Sequence, residues 1–433
     1  MSAQAFSPAS GRVAWRRIAR HPALMEYRRL AALVAMANLW ILWRGWQMGH
    51  FADGMGWALA PIADLALANF ALAILIRQQR VINALFWLAT RIPVTWPLWL
   101  RRGAGKVYHF GGLHSGAASC GTLWFGLLLW AMGWNRLAGD ALPSDRTLWL
   151  TAAILLLLAA MVATALGPLR DRFHNLFERV HRFAGWTVMG LFWAQSISLS
   201  AETGEAPPIW LLALLTLSVI SPWLSLRRVR VAVDTPSGHA AVARFDYGET
   251  PFAGSSTAIS RSPFGEYHAF ANIPAPGESG FRLAISRAGD WTGGFVDQPP
   301  SHVWVKGITT SGVARIETLF SRVVYVATGS GIGPVLPHLL KGAVPARLIW
   351  SARSPRRTYG DALVDEIETA TAHPLIWDTD RDGKPDLSAL ALEAVWETGA
   401  EAVIVISNRK LTRRVVHELE TLGIPAYGAI WDS

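Results

Sequence analysis

Three groups of residues have types and spacings suited to chemistry. Thr328-Gly329-Ser330-Gly331-Ile332-Gly333-Pro334 follows the short β-branched run Val323–Ala327 and leads into an amphipathic stretch. Glycines at such a strand-to-helix turn let the backbone come close to a bound group, and the amides opening the helix favour a phosphate. A plain tight turn is the alternative, because one glycine-rich turn is a weak signal. The second group, Ser351, Arg353, Arg356, Arg357 and Tyr359, follows the next apolar run. Guanidinium forks match phosphate geometry, and a solvated basic loop is the alternative.

The third group is His109, His114, His174 and His181, four of the twelve histidines. His174 and His181 are seven residues apart, which on a helix is one face and about 10.5 Å of rise. A bis-imidazole pair drawn from the two helices that carry these histidines suits a b-type haem. The other readings are a different metal arrangement, including a four-His iron site, or histidines satisfied by headgroups and water. Asp64 and Asn69 lie within another apolar stretch, where ionisable and polar groups are functional candidates.

These residues need positioning elements, and composition says of what kind. The chain has 433 residues, 52% of them hydrophobic, with 22 Trp and a mean hydropathy of +0.26. That is too apolar for an ordinary soluble protein and suggests two or three domains. Sixteen of the tryptophans precede residue 226, many near the ends of apolar runs, as in interfacial belts. The net charge of +9 forms no single stripe, so nucleic acid is not an expected partner; membrane lipids are. One cysteine, Cys120, excludes an intramolecular disulfide. Residues 1–22 are polar and basic without a cleavable signal pattern, so no removed leader is expected.

Six apolar stretches are long enough to span about 30 Å of hydrocarbon. They run roughly Leu30–Trp46, Trp57–Ile76, Tyr108–Met132, Leu148–Leu169, His181–Ser200 and Ile209–Leu226. Val81–Leu100, broken by Arg91, Pro93 and Pro97, reads as an interfacial helix. Lys and Arg cluster in the N-terminal tail and in the second and fourth connections, which puts both termini in the cytosol of a multi-pass protein of the cytoplasmic membrane.

Beyond Leu226, alternating runs at Arg227–Asp234, Ala240–Phe245, Glu266–Asn272, Gly280–Ser286 and His302–Lys306 predict a small antiparallel barrel. Strands at Val323–Ala327, Ala346–Ser351, Pro374–Asp378, Ala402–Ser407 and Ile424–Ile430, alternating with helices, predict a doubly wound parallel sheet. The expected division is a tail at 1–29, a six-span bundle at 30–226, a flavin-type barrel at 227–318 and a nucleotide-binding domain at 319–433.

The glycine turn resembles the Thr-Gly-x-Gly-Ile-x-Pro loop of the ferredoxin–NADP reductase superfamily. Arg287-Ala288-Gly289-Asp290-Trp291-Thr292 resembles the Gly-Asp-Trp-Thr stretch of ferric reductases and NADPH oxidases, and Glu266-Tyr267-His268-Ala269-Phe270-Ala271 resembles their His-Pro-Phe-Thr segment. His181-Arg182-Phe183-Ala184-Gly185 is similar to the motif opening their fifth span, but Ala194 and Gln195 stand where a second histidine follows. Gly423 to Ser433 resembles the C-terminus of fungal ferric-reductase-like transmembrane flavoproteins.

The resemblance implies FAD at His268, Phe270, Gly289, Asp290, Trp291 and Thr292. It implies NADPH, in preference to NADH, at Thr328, Gly329, Ser330, Gly331, Gly333, Pro334, Ser351, Arg353, Arg356, Tyr359 and Asn408. Trp431 would cover the flavin ring and take part in catalysis. The implied function is a membrane NAD(P)H oxidoreductase passing electrons through FAD to a haem, or to a small-molecule or lipid-soluble acceptor, near the cytosolic side. A nucleotide-binding membrane sensor and a four-His membrane oxygenase are the alternatives.

Overall fold

The computed structural model describes residues 24–54, 56–139, 143–203, 209–275, 277–307 and 309–428. The chain divides into two compact units: Glu26–Gln78 with Phe110–Ser221, which is helical, and Gln79–His109 with the chain from Pro222 onward, which is rich in β-structure.

In the helical unit, helices Glu26–Gln47, Leu59–Leu75, Gly111–Leu137, Asp145–Ala165 and His174–Thr203 surround a core of Ile62, Phe70, Trp124, Phe125, Ile154 and Val188. The two-residue strands β1 (Ala52–Asp53) and β2 (Gly56–Trp57) form a small hairpin. Gly112 and Gly116 let helix Gly111–Leu137 approach Glu26–Gln47: an added Cβ would stand 2.1 Å from Tyr27 O and 2.9 Å from Ala31, respectively. This is the small-xxx-small spacing that brings apolar helices together. Polar groups turn inward. Asn38 and Asn69 exchange side-chain amide bonds of 3.1 and 2.8 Å, and Trp124 Nε1 donates to Asn38 Oδ1 at 2.7 Å. Leu33, Met36, Leu39, Trp40 and Trp43 face outward.

The expected six spans are not found. Among the described residues, two stretches, Leu98–Leu137 and Asp145–Ala165, are long and apolar enough to cross a membrane, or three if the bent pair Leu59–Leu75 and Gln79–Ala89 counts as one. Helix Glu26–Gln47 carries Arg28, Arg29 and Arg44, and His174–Thr203 opens on His174, Glu178, Arg179, His181 and Arg182. Helix Ile209–Leu224 has 16 residues, fewer than a span needs. Asn69 is buried against Asn38, whereas Asp64 is exposed.

The β-rich unit has two antiparallel sheets and one parallel sheet. Strands β3 (Leu226–Arg230), β6 (Ser255–Ser260), β9 (His302–Lys306) and β10 (Thr310–Ser311) pair in the order β10-β6-β9-β3, with β7 (His268–Ala271) also on β6. Strands β4 (Ala232–Ser237), β5 (Ala240–Phe245) and β8 (Phe281–Ser286) form the second sheet. Alternate residues, among them Val229, Ala243, Phe245, Leu283, Ile285 and Val305, fill the space between. The expected strand Arg227–Asp234 breaks into two, turning between sheets at the buried Val231.

The parallel sheet runs β13-β12-β11-β14-β15, with β11 (Val323–Thr328), β12 (Ala346–Ala352), β13 (Leu375–Asp378), β14 (Ala402–Ile406) and β15 (Ala426–Gly428). Strand order reverses between β11 and β14, the position where doubly wound sheets open a crevice at their C-terminal ends.

Two of the sheet edges in this unit, β10 and β15, are met by side chains of Gln79–His109. At β10, Asn83 Nδ2 donates to Thr309 O and Asn83 Oδ1 accepts from Ser311 N, each at 2.8 Å. At β15, the groups pointing away from β14 find side-chain partners. Ala426 N donates to Glu420 Oε1 (3.2 Å), Lys106 Nζ donates to Ala426 O (2.9 Å), and Gly428 N donates to Tyr108 Oη (3.2 Å). The Glu420 side chain, only 3% exposed, also pairs with Lys106 at 2.9 Å and with Arg102. At the opposite ends of β11 and β14, Arg101 grips Glu401 through two bonds of 2.7 and 3.0 Å. That hydrogen bond holds the Glu401 carboxyl down to about 2.

Removing one partner of a buried ion pair leaves a charge uncompensated. Glu420→Ala is therefore expected to destabilise the β-rich unit by about 3–5 kcal/mol, measured by denaturant unfolding. Amide exchange should speed up at Ala426 and Gly428 while Val326 stays protected. Unchanged exchange at β15 would show that the edge is held by other contacts.

Candidate functional site

The crevice at the switch point is lined by the glycine turn. Gly329 adopts φ +53°, a left-handed conformation open to glycine. Gly331 sits against β14, where an added Cβ would stand 2.2 Å from Ile406 O; at Gly333 the nearest atom, Ala284 Cβ, is 3.5 Å away. Trp350 Nε1 donates to Gly329 O at 2.9 Å, and the Thr328 and Ser407 hydroxyls lie 2.6 Å apart. Ser330 is half-buried, and Pro334 falls in the first turn of helix Ile332–Lys341, where it blocks no intrahelical donor. Asn408 caps helix Arg409–Leu422, its Oδ1 accepting from Leu411 N at 3.1 Å.

Strand β8 of the barrel closes one side of this crevice. Ser286 Oγ lies 3.2 Å from Tyr359 Oη, and burial raises the pKa of that phenol. Arg282 on β8 makes a double bond pair with Glu366, 2.7 Å each, which ties the barrel to helix Asp361–Ala370.

The barrel face carries an aromatic stack. Trp291 lies 4.4 Å from the His268 ring, 6.0 Å from Phe270 and 5.4 Å from Phe295, measured between centroids. Helix Asp290–Asp297 begins at Gly289, and Thr292 Oγ1 already accepts from Ala288 N (2.9 Å) and Gly289 N (3.0 Å). Of the basic groups at this helix, Arg287 is held by Asp297 and by Gly238 O, and Arg261 donates to Gly294 O at 2.7 Å.

The expected phosphate clamp is only partly assembled. Ser351 is buried, and Arg356 is held by Asp361, Asp365 and Glu368 at 3.2, 2.7 and 3.0 Å. Arg353 is exposed, and the Arg357 side chain is 80% exposed. Trp431 lies outside the described residues.

The four histidines do not converge. Among the described residues no three metal-ligating side chains come together. His109 belongs to the β-rich unit, buried with its ring 4.2 Å from Tyr108. His174 is exposed beside Glu178, and Phe177 stands between it and His181, which seven-residue spacing alone does not reveal. Only His114 and His181 face each other, with ring centroids 6.2 Å apart. His114 Nδ1 lies 2.8 Å from Ala73 O and must donate to it, which leaves Nε2 with a lone pair. Gln195, where the resemblance placed a second histidine, donates to Thr151 Oγ1 at 2.6 Å.

Ser286 and Trp350 were missed in the sequence, because one ends an ordinary alternating strand and the other lies inside an apolar one. The spacing of Ser286 one residue before Arg287-Ala288-Gly289 was the available signal.

A barrel beside a doubly wound sheet, with a glycine turn at the switch point, is the architecture of a two-domain nucleotide-binding module. Residues 313–433 match the family model described as the C-terminal domain of adenylate-forming reductase 03009. Two curated relatives from Coprinopsis cinerea, adenylate-forming reductases 03009 and 06235, are 42% and 39% identical over 426 and 429 residues. Each alignment covers 96% of this chain and 41% of the relative, so the chain spans about two fifths of the length of the curated relatives it matches. Among solved structures, a ferredoxin NADP+ reductase from Neisseria gonorrhoeae with bound FAD and NADP is 13% identical at a TM-score of 0.39, covering 48% of this chain and 98% of its own. The ferredoxin reductase in carbazole 1,9a-dioxygenase is 14% identical at 0.37, covering 48% and 70%.

The two glycines permit a paired test. Gly331→Ala is expected to cost about 1–3 kcal/mol of stability through overpacking and to weaken nucleotide binding. Gly333→Ala, whose Cβ makes ordinary contact, should change stability by less than about 0.5 kcal/mol. Thermal unfolding and nucleotide titration of both variants check this; equal effects would remove the steric account.

Proposed function

We propose that this chain is an NAD(P)H-dependent flavin oxidoreductase, the reductase part of what its relatives' names describe. The observation that carries the reading is the glycine turn at the switch point, opening onto β8 and an aromatic barrel face. The nicotinamide nucleotide's diphosphate would lie on the amides of Ser330 to Gly333, with Ser407, Ser286 and Tyr359 at the crevice walls. FAD suits the stack of His268, Phe270 and Trp291, with its diphosphate toward the exposed start of helix Asp290–Asp297. When bound, flavin supplies the conversion between hydride and single-electron chemistry. The chain's own residues orient the two nucleotides and exclude water between them.

In this reading the helical unit lies in the cytoplasmic membrane in contact with lipid, with both termini cytosolic. Its outward Leu and Trp side chains and the basic connections support that orientation. The acceptor is a small or lipid-soluble molecule, or a b-type haem. His114 and His181 are the pair that would hold the haem: each can present one nitrogen toward the other, and the His114 Nδ1–H bond to a carbonyl is the usual outer partner of a ligating imidazole. This favours the ferric-reductase-like transmembrane flavoprotein reading with a single haem. The four-His oxygenase loses support because those residues do not gather.

Two measurements test the proposal. Purified protein should carry a flavin absorbance that bleaches on anaerobic addition of NADPH or NADH, and Trp291→Ala should lose flavin. Flavin that binds but never bleaches would favour the nucleotide-binding sensor; no flavin at all would remove the enzyme reading. Separately, one haem per chain is expected, lost in His181→Ala and kept in His174→Ala. Haem that survives His181→Ala would exclude this pair.

A further inference from the structure

The ribose end of the nucleotide site carries a charge arrangement that the resemblance did not suggest. Strands β12 and β13 lie side by side, with Ala352 paired to Asp378, so the loops that leave them share one edge. One loop brings Arg353, Ser354, Arg356 and Arg357; the other brings Asp378, Asp380, Arg381 and Asp382. In a mononucleotide-binding half the adenosine ribose reaches the edge beyond the second strand, where an acidic group favours a 2′-hydroxyl and a basic one a 2′-phosphate.

Most of these charges are already matched. Arg356 is turned away to three carboxylates. Arg381 is bonded to Asp382 at 2.8 and 2.9 Å. Asp378 Oδ1 accepts from Ser354 N at 2.9 Å and Asp380 N at 3.0 Å, and it holds Ser354 at φ +35°, an unusual conformation for serine. Asp380 is different. Its Oδ2 accepts from Ser354 Oγ at 2.9 Å and lies 3.7 Å from Arg357. It thus occupies a hydroxyl and a guanidinium, two of the donors a 2′-phosphate would use.

We propose that Asp380 sets how this site treats the 2′-position of the adenosine ribose, acting against a 2′-phosphate. The inference rests on the nucleotide reading above. A phosphate dianion reaching Arg353 and Arg357 meets the Asp380 carboxylate at close range, and like charges placed together cost affinity. A 2′-hydroxyl can donate to the same carboxylate. Asp380 is a specificity residue; it takes no part in hydride transfer.

The test is titration of NADPH and NADH into the full-length wild type, Asp380→Asn and Asp382→Asn. Asparagine keeps the shape and an acceptor for Ser354 while removing the charge. The ratio Kd(NADPH)/Kd(NADH) is expected to fall roughly tenfold in Asp380→Asn, mainly through tighter NADPH binding. In Asp382→Asn, whose carboxylate already faces Arg381, it should stay within about threefold of wild type. An unchanged ratio in Asp380→Asn overturns the proposal, and so does an equal shift in both variants, which would indicate a general field. Failure of wild type to bind either nucleotide would instead bring down the nucleotide reading, and this inference with it.

Discussion

An unpaired sheet edge is a row of donors and acceptors that must meet something. Two edges of the β-rich unit, β10 and β15, are met by side chains of a segment lying over 200 residues upstream of them. Asn83 imitates a backbone partner, with one acceptor and one donor aimed at β10. Lys106, Tyr108 and the buried Glu420 do the same for β15. Side chains, unlike a further strand, end the sheet: they satisfy its groups without presenting a new edge. Residues Phe110–Ser221 of the helical unit thus intervene between the two segments that build the capped β-rich unit. Truncation at Pro222 would strip both caps at once.

Closing the edge has consequences at the ligand side. With β15 fixed, β14 keeps its register, and Ile406 O is held where Gly331 must lack a side chain. Trp350 pins the Gly329 carbonyl from the other flank. The site is shaped from strands outward; its loops inherit that order. The same logic explains why Thr292 caps its own helix. The amides of Ala288 and Gly289 need a partner, and the nearby Thr292 hydroxyl supplies one.

Legibility followed the range of the interactions. The run Val323–Ala327 announces itself because every residue in it is buried, and the parallel strands near it were placed within a residue or two. Strand β6, Ser-Ser-Thr-Ala-Ile-Ser, escaped because its buried positions include serines and a threonine, so polarity does not alternate. The basic loop was legible as basic but not as occupied, since the carboxylates holding Arg356 lie five, nine and twelve residues onward and meet it only when two helices fold back. Apolar length suggested six spans, one of them beginning at His181, inside a longer helix whose first turns carry His174, Glu178, Arg179 and Arg182. Their place at the ends of two apolar stretches grouped four histidines; the fold separates them, and Phe177 stands between His174 and His181.

The helical unit exposes many Leu and Trp side chains around its buried core, and that bears on how it is held together. Where Leu and Trp face outward, apolar burial adds little between helices if lipid is the surrounding medium. Cohesion then has to come from close backbone approach and from polar pairs. Both are present. Gly112 and Gly116 admit the neighbouring backbone, and Asn38, Asn69 and Trp124 form a closed set of side-chain bonds across three helices. Because each member of that set satisfies another, loss of one leaves its partners unsatisfied. That cost helps fix the register of helices Glu26–Gln47, Leu59–Leu75 and Gly111–Leu137, the last of which also carries His114.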